Sequence, residues 1–243
     1  MAKPASTPVS ERSPAASAAV HARVARQRAV ADVRRSLVLA AARTAFIELG
    51  LEGASLREIA KRAGYTPGAI YSYFESKEEV YGALLAESLE RLNAFVRAAG
   101  ASAPVASNSR SARRLALQSE IRARATAFFD FYRENPRDLD LGFYLFHGMQ
   151  PRGLTRPLNE RLNARLRDAL APTHDGLCAM GVEPDEAQAE TTALFAHIVG
   201  LLLLSHTGRI RMFHQQSQAL FERYLDAMLA RSTERAKARS TRR

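Results

Sequence analysis

Between Tyr65 and Phe74 the chain reads YTPGAIYSYF, ten residues without a charged side chain. If Ile70 and Phe74 turn inward from a short helix, then Thr66, Gly68, Ala69, Tyr71, Ser72 and Tyr73 lie around its outer side. Arg57, Lys61, Arg62 and Lys77 stand nearby in sequence. A neutral hydrogen-bonding rim ringed by cations suits a polyanion whose phosphates attract charge and whose bases are read by hydrogen bonds. Catalytic chemistry has no comparable footing. The chain has no phosphate-binding glycine loop and no Gly-x-Ser-x-Gly elbow. His197, His206 and His214 are nine and eight residues apart, not an i, i+4 ligand pair, and Cys178 is the sole cysteine. No enzyme activity, metal or cofactor is expected.

The rim needs elements to hold it outward. Val38, Ala41, Ala42, Ala45, Phe46 and Leu49 fall on one stripe of a first helix, which Gly50 ends. Ser55 with Glu58 three residues on reads as a capping box opening a second, short helix with Leu56, Ile59, Ala60 and Ala63 inward. Gly64 closes that helix with an expected positive φ. Thr66 caps the third helix and Pro67 occupies its first turn, where a missing N–H costs nothing. A fourth helix opens at Ser76-Lys77-Glu78-Glu79, again a capping box. Two short helices joined by a glycine turn and stapled to a longer one make a helix-turn-helix.

The run VLAAARTAFIELGLEGASLREIAKRAGYTPGAIYSYFESKEEVYGALL resembles the N-terminal domain of TetR-family regulators. Its signature is Ala-Gly-x-Thr-x-Gly-x-Ile-Tyr-x-Tyr-Phe-x-Ser-Lys-Glu at Ala63–Glu78. The resemblance implies a homodimer whose paired third helices enter successive major grooves of a palindromic operator in double-stranded DNA. It assigns Thr66, Gly68, Ala69, Tyr71 and Ser72 to positions facing bases or nearby phosphates. Tyr73 and Lys77 match groups that grip the backbone, and Ser55 with Arg57 match the opening of the second helix, which also touches phosphate. Gly68 suits close approach to the duplex. Pro67 is a departure, since many relatives carry a basic residue there. Phosphate attraction is therefore expected from Arg57, Lys61, Arg62, Lys77 and an arginine-rich N-terminal arm. For Tyr71 and Tyr73 the competing reading is half-packed core.

The whole chain has 243 residues and a formal net charge of +10. Residues 1–45 hold eight Lys/Arg against two acidic groups, and the last thirteen residues hold six against one, leaving a nearly balanced body. Basic ends on a neutral body fit a protein that meets nucleic acid with one part only, although such ends can also be merely solvating. No stretch alternates like a strand, so the expected class is all-α: an N-terminal three-helix helix-turn-helix domain followed by a helical ligand-binding and dimerisation domain. The expected divisions are a disordered basic arm (1–30), the DNA-binding domain (31–80), the effector and dimerisation domain (81–230) and a basic tail (231–243). Asn135-Pro136, Pro151–Gly153, Pro172, Gly181–Pro184 and Gly208 are read as breaks between helices. The longest apolar run, Leu194–Leu204, is about half a membrane span. No secretory signal is read, and a cytoplasmic protein is expected.

Within the second part, FFDFYRENPRDLDLGFYLFHG also resembles the effector domains of one TetR branch, without the tryptophan common there. Phe128, Tyr132, Phe143, Phe146, His147, Met149 and His197 are the candidates for a small-molecule pocket; plain core is the competing reading for each. Leu194–Leu204 is apolar on every side, so a second subunit is expected to cover part of it. Ile198, Leu201, Leu202, Leu220, Tyr224 and Met228 are the expected dimer interface. The resemblance implies a repressor released from its operator by an apolar or aromatic ligand. The alternative is a ligand-independent architectural DNA binder.

Overall fold

A computed structural model describes residues 14–100, 109–143 and 154–241. Among them every regular element is helical, and the chain divides into two compact units, one up to Val80 and one from Tyr81 onward.

The first unit holds α1 (Pro14–Gly53), α2 (Leu56–Ala63), α3 (Pro67–Tyr71) and the start of α4 (Lys77–Ala99). Val38, Leu39, Ala42, Ala45 and Phe46 of α1 are buried with Ile59, Ala60, Ile70, Phe74 and Val80. Leu49, expected on that stripe, is 43% exposed, and Leu39 takes a core place instead. Gly50, with a φ of 72° and a ψ of 171°, breaks the helical path directly after Leu49, which stands on the last helical position before the corner. The Ala54 N–H donates to the Gly50 carbonyl across this corner at 3.0 Å.

Residues 14–30 correct the expectation of a disordered arm, for they are helical and continuous with the rest of α1. Seven of these seventeen residues are alanine and three are arginine, both strong helix formers. Positions 21–30 are all exposed, so propensity and continuity with the packed turns hold this stretch rather than packing of its own. Residues 1–13 lie outside the described residues.

The second unit contains the rest of α4, then α5 (Arg110–Glu134), α6 (Pro136–Phe143), α7 (Arg156–Ala179), α8 (Pro184–His206), a 3₁₀ turn (Arg209–Phe213) and α9 (Ser217–Thr241). Asn135 ends α5 and Pro136 starts α6, as the Asn-Pro pair predicts. Pro172, in contrast, lies inside α7 and does not end it; Ala169, Thr173 and Leu177 are buried around it and hold the helix in place. Phe129 stacks on Phe221 with centroids 4.4 Å apart, joining α5 to α9.

Two buried carboxylates tie the bundle. Glu190 of α8 meets Arg231 at 3.0 Å and Arg235 at 2.8 Å on α9, and Asp138 of α6 meets Arg91 of α4 at 2.6 Å. The expected basic tail is structured through Thr241: it continues α9, buries Ser232 and Ala236, and pairs its charges with Glu186, Glu190, Glu234 and Glu183. α8 is 23 residues long, longer than its apolar run, with a mean hydropathy of 1.4 over its most apolar 18 residues. By length and composition it is apolar enough to cross a bilayer, yet one side of it packs against α7 and α9 with Leu194, Ile198, Leu201 and Leu202 buried.

Candidate nucleic-acid interface and effector region

α3 is anchored from within and bare outside. Ile70 and Phe74 are almost fully buried, and the Arg35 guanidinium of α1 lies 4.5 Å from the centre of the Phe74 ring. Thr66 caps the helix, its Oγ1 accepting from the Ala69 N–H at 3.3 Å, and Pro67 takes the first position. Beyond Tyr71 the turn continues, because the Tyr73 and Phe74 N–H groups both donate to the Ile70 carbonyl. Ser72 Oγ donates to the Ala69 carbonyl at 2.7 Å. Thr66, Pro67, Gly68, Tyr71 and Ser72 are exposed, while Ala69 and Tyr73 are half-buried. Tyr71, at 55% exposed, is not core.

Gly68 carries specific information. Its φ is not positive, and a Cβ built there would meet nothing within 4 Å. The fold itself does not require glycine at this position, unlike Gly64, whose φ of 72° lets it close α2.

α2 sits behind the rim, with Ser55 and Arg57 exposed at its start. Ser55 Oγ accepts from the Glu58 N–H at 3.2 Å, but only half of the expected capping box forms. The Glu58 carboxylate turns to Arg62 at 2.7 Å, and Arg62 also reaches Glu48 of α1 at 2.6 Å. Hydrogen bonding within this trio lowers the Glu58 pKa and raises that of Arg62. Arg62 was expected to attract phosphate; instead it braces α2 against α1. At the start of α4, Ser76 Oγ accepts from the Glu79 N–H and the Glu79 carboxylate accepts from the Glu75 N–H, with Lys77 half-buried between them.

The expected pocket residues separate. Phe128, Tyr132 and Phe143 come together and are joined by Phe195 of α8 in a closed ring of three edge contacts and one tilted contact, with successive centroids 5.3–5.9 Å apart. Burial pushes the Tyr132 phenol above its usual range, so it is neutral. Beside Tyr132 and Phe143 lies a small cavity of roughly 50 Å³ bordered by Leu85, Leu89, Leu162 and Leu166. His197 is not part of this group. It stacks on Tyr224 of α9 at 4.1 Å, and burial lowers its pKa. Phe146, His147 and Met149 lie outside the described residues.

The expected dimer residues need a larger correction. Ile198, Leu201, Leu202 and Met228 are at most 6% exposed within the single chain, so they are its own core. Leu220 and Tyr224 are half-exposed. Leu203, Leu204, Ala196 and Gly200 occupy the outer side of α8, where a Cβ on Gly200 would meet open space.

Three features escaped sequence reasoning. Phe195 stood in the apolar run, three residues before Ile198, and its spacing was a usable signal. The Arg35–Phe74 and Arg62–Glu48 contacts join residues far apart in the chain and carried none.

Two sequence profiles match. Residues 38–84 fit bacterial regulatory proteins of the tetR family, and residues 121–228 fit the tetracyclin repressor-like C-terminal domain. The HTH-type transcriptional activator FasR of Mycolicibacterium smegmatis is 34% identical over 112 residues, 46% of either chain. The HTH-type transcriptional repressor AcnR of Corynebacterium diphtheriae is 38% identical over 61 residues, 25% of this chain and 32% of that one. The chain thus aligns with less than half the length of these curated relatives. In fold it is similar to a tetR-family regulatory protein from Rhodococcus RHA1, with 19% identity, a TM-score of 0.60, and 81% of this chain and 95% of that one covered. It is also similar to FadR of Bacillus subtilis, solved with stearoyl-CoA, with 15% identity, a TM-score of 0.58, and coverage of 80% and 97%. A capped short helix with a bare outer rim, a helical second unit and two matching profiles agree: the chain belongs to the TetR family of bacterial regulatory proteins.

Proposed function

We propose that the protein is a homodimeric transcriptional repressor that binds a palindromic operator through α3 and leaves it when an apolar small molecule occupies the second unit. The observation that carries this reading is the α3 rim: exposed, uncharged, and bearing a glycine that the fold does not need. Thr66, Gly68, Ala69, Tyr71 and Ser72 face the bases or nearby phosphates. Tyr73, Lys77, Ser55 and Arg57 hold the backbone. Pro67 stiffens the first turn and adds no charge.

The aromatic ring of Phe128, Tyr132, Phe143 and Phe195 supports an apolar ligand. Among apolar ligands an acyl chain is favoured, because one structural neighbour was solved with stearoyl-CoA and another is described as a fatty acid degradation regulator. The outer side of α8 with Leu220 and Tyr224 of α9 is the dimer surface. Ligand binding acts by population shift, favouring a conformation with lower operator affinity.

The test is low-salt footprinting on DNA flanking the protein's own coding region, with and without acyl-CoA and aromatic compounds, alongside a reporter gene. Protection of a palindrome that fades on adding a compound, with the reporter silenced until then, is the expected result. No protected site would refute the reading. Protection indifferent to every compound would favour the ligand-independent architectural role.

A further inference from the structure

One end of the second unit carries a groove that neither the α3 rim nor the aromatic ring uses. It lies where α5 and α8 begin and α7 and α9 end, and is a solvent-open concavity of roughly 640 Å³, within the size range of small-molecule pockets. Arg110, Arg113 and Arg114 line one wall, above a floor that includes Leu117, Met180 and Val182.

The three arginines sit at i, i+3 and i+4 on the first turn of α5, so they share one face. This is an unfavourable place for them. A helix N-terminus is the positive end of its dipole and ordinarily takes carboxylates, but α5 has no acidic residue in its first turn. Ser109 forms no side-chain cap, leaving N–H groups at that end without one. None of the three guanidinium groups meets a carboxylate among the described residues. Arg239, on the opposite wall, is already paired with Glu183. Like charges gathered at the wrong helix end in a concave site are stabilised by an anion of more than one charge.

We propose that this groove binds a small molecule bearing a phosphate or diphosphate group, held by Arg110, Arg113 and Arg114, with its less polar part on the Leu117–Met180–Val182 floor. Guanidinium groups match phosphate oxygens two at a time. A duplex is disfavoured because the cationic wall spans a single helical turn and the floor is concave and apolar. Cys178 also lines the groove, but burial raises its pKa, so it contributes packing and not a reactive thiolate.

The test uses the full chain without operator DNA, so it is independent of the repressor reading. Calorimetric titration with inorganic pyrophosphate is run on the wild type, on R113Q/R114Q, on R110Q, and on R137Q/R161Q as a charge-matched control elsewhere. Saturable binding at one site per chain is expected. It should weaken at least tenfold in R113Q/R114Q, weaken measurably in R110Q, and be unchanged in the control, while melting curves show all four folded. Phenyl phosphate should bind at least threefold more tightly than inorganic phosphate. Absence of wild-type binding, or equal weakening in the control, would overturn the proposal. So would displacement of pyrophosphate by a random-sequence duplex that depends on the same arginines, since the groove would then be a nucleic-acid contact.

Discussion

Gly68→Ala separates what the fold needs from what the operator needs. In the free protein the new methyl group meets nothing within 4 Å and the backbone is already helical. The substitution narrows the unfolded ensemble and raises helix propensity, a gain of up to about 0.5–1 kcal/mol, smaller this close to the helix start. In a chain of this size that shifts the melting midpoint upward by roughly 1–3 °C. Against DNA the sign reverses. A carbon projecting about 1.5 Å from the backbone holds α3 off the groove, stretching neighbouring hydrogen bonds toward lengths at which they cease to count. Losing one such contact to a base costs about 1–3 kcal/mol, so operator affinity should fall by about 5- to 150-fold for each copy of α3 that meets the duplex. Fluorescence anisotropy at fixed salt and a thermal melt on the same preparation read both effects. Gly64→Ala is the counterpart: at φ 72° it should cost about 1–2 kcal/mol of stability, lowering the melting midpoint. Full affinity in Gly68→Ala would mean that α3 does not approach the duplex there. A lowered midpoint in that variant would mean that the fold depends on this glycine after all.

Tyr73→Ala and Lys77→Ala should weaken binding about equally on all sequences, whereas changes at Ala69 or Ser72 should alter which sequence is preferred; titration against a panel of operator variants tells the two apart. Glu190→Ala removes the buried carboxylate shared by Arg231 and Arg235, whose side chains are 44% and 48% exposed, so screening limits the loss to about 1–2 kcal/mol, read by urea unfolding. Burial lowers the His197 pKa below its ordinary 6.5. The unfolded chain therefore takes up that proton first as pH falls through 6.5, and the stability present above that pH is lost until the folded group also titrates. His197→Gln should flatten the decline in melting midpoint between pH 7 and pH 5, and identical slopes would exclude His197 as its source.

Where local chemistry decides, the residues could be read directly. Thr66, Pro67 and Gly64 act within one turn of themselves, so α3 and the caps around it were legible. The all-helical class followed from periodicity in the same way. The α8 residues show the limit. Ile198, Leu201 and Leu202 lie in a run apolar on every side, which reveals that the helix is covered but not which side its own chain covers. Arg62 presents the same difficulty with charge: a cation beside a neutral exposed rim looks like a phosphate contact until Glu48, fourteen residues earlier, is brought alongside it. Over residues 14–30 two signals point apart: the Ala-Arg composition favours helix, while the lack of an apolar stripe argues against packing, and the structure is a helix without packing over 21–30.

Arg62 tied to Glu48 and Glu58, and Arg35 laid over Phe74, leave Arg57 and Lys61 as exposed cations on α2. Each neutralised phosphate releases counterions and adds about 0.9 to the steepness with which affinity declines in a plot of log K against log salt. Two copies gripping through these groups and Lys77 would give a slope of about −5. Arg23, Arg26, Arg28 and Arg34 of the α1 extension would make it far steeper if they reached the duplex. Ionic strength thus becomes a ruler for how much of that helix touches DNA. A shallow slope would also keep promoter occupancy steady while osmotic stress swings the ion content of the cell.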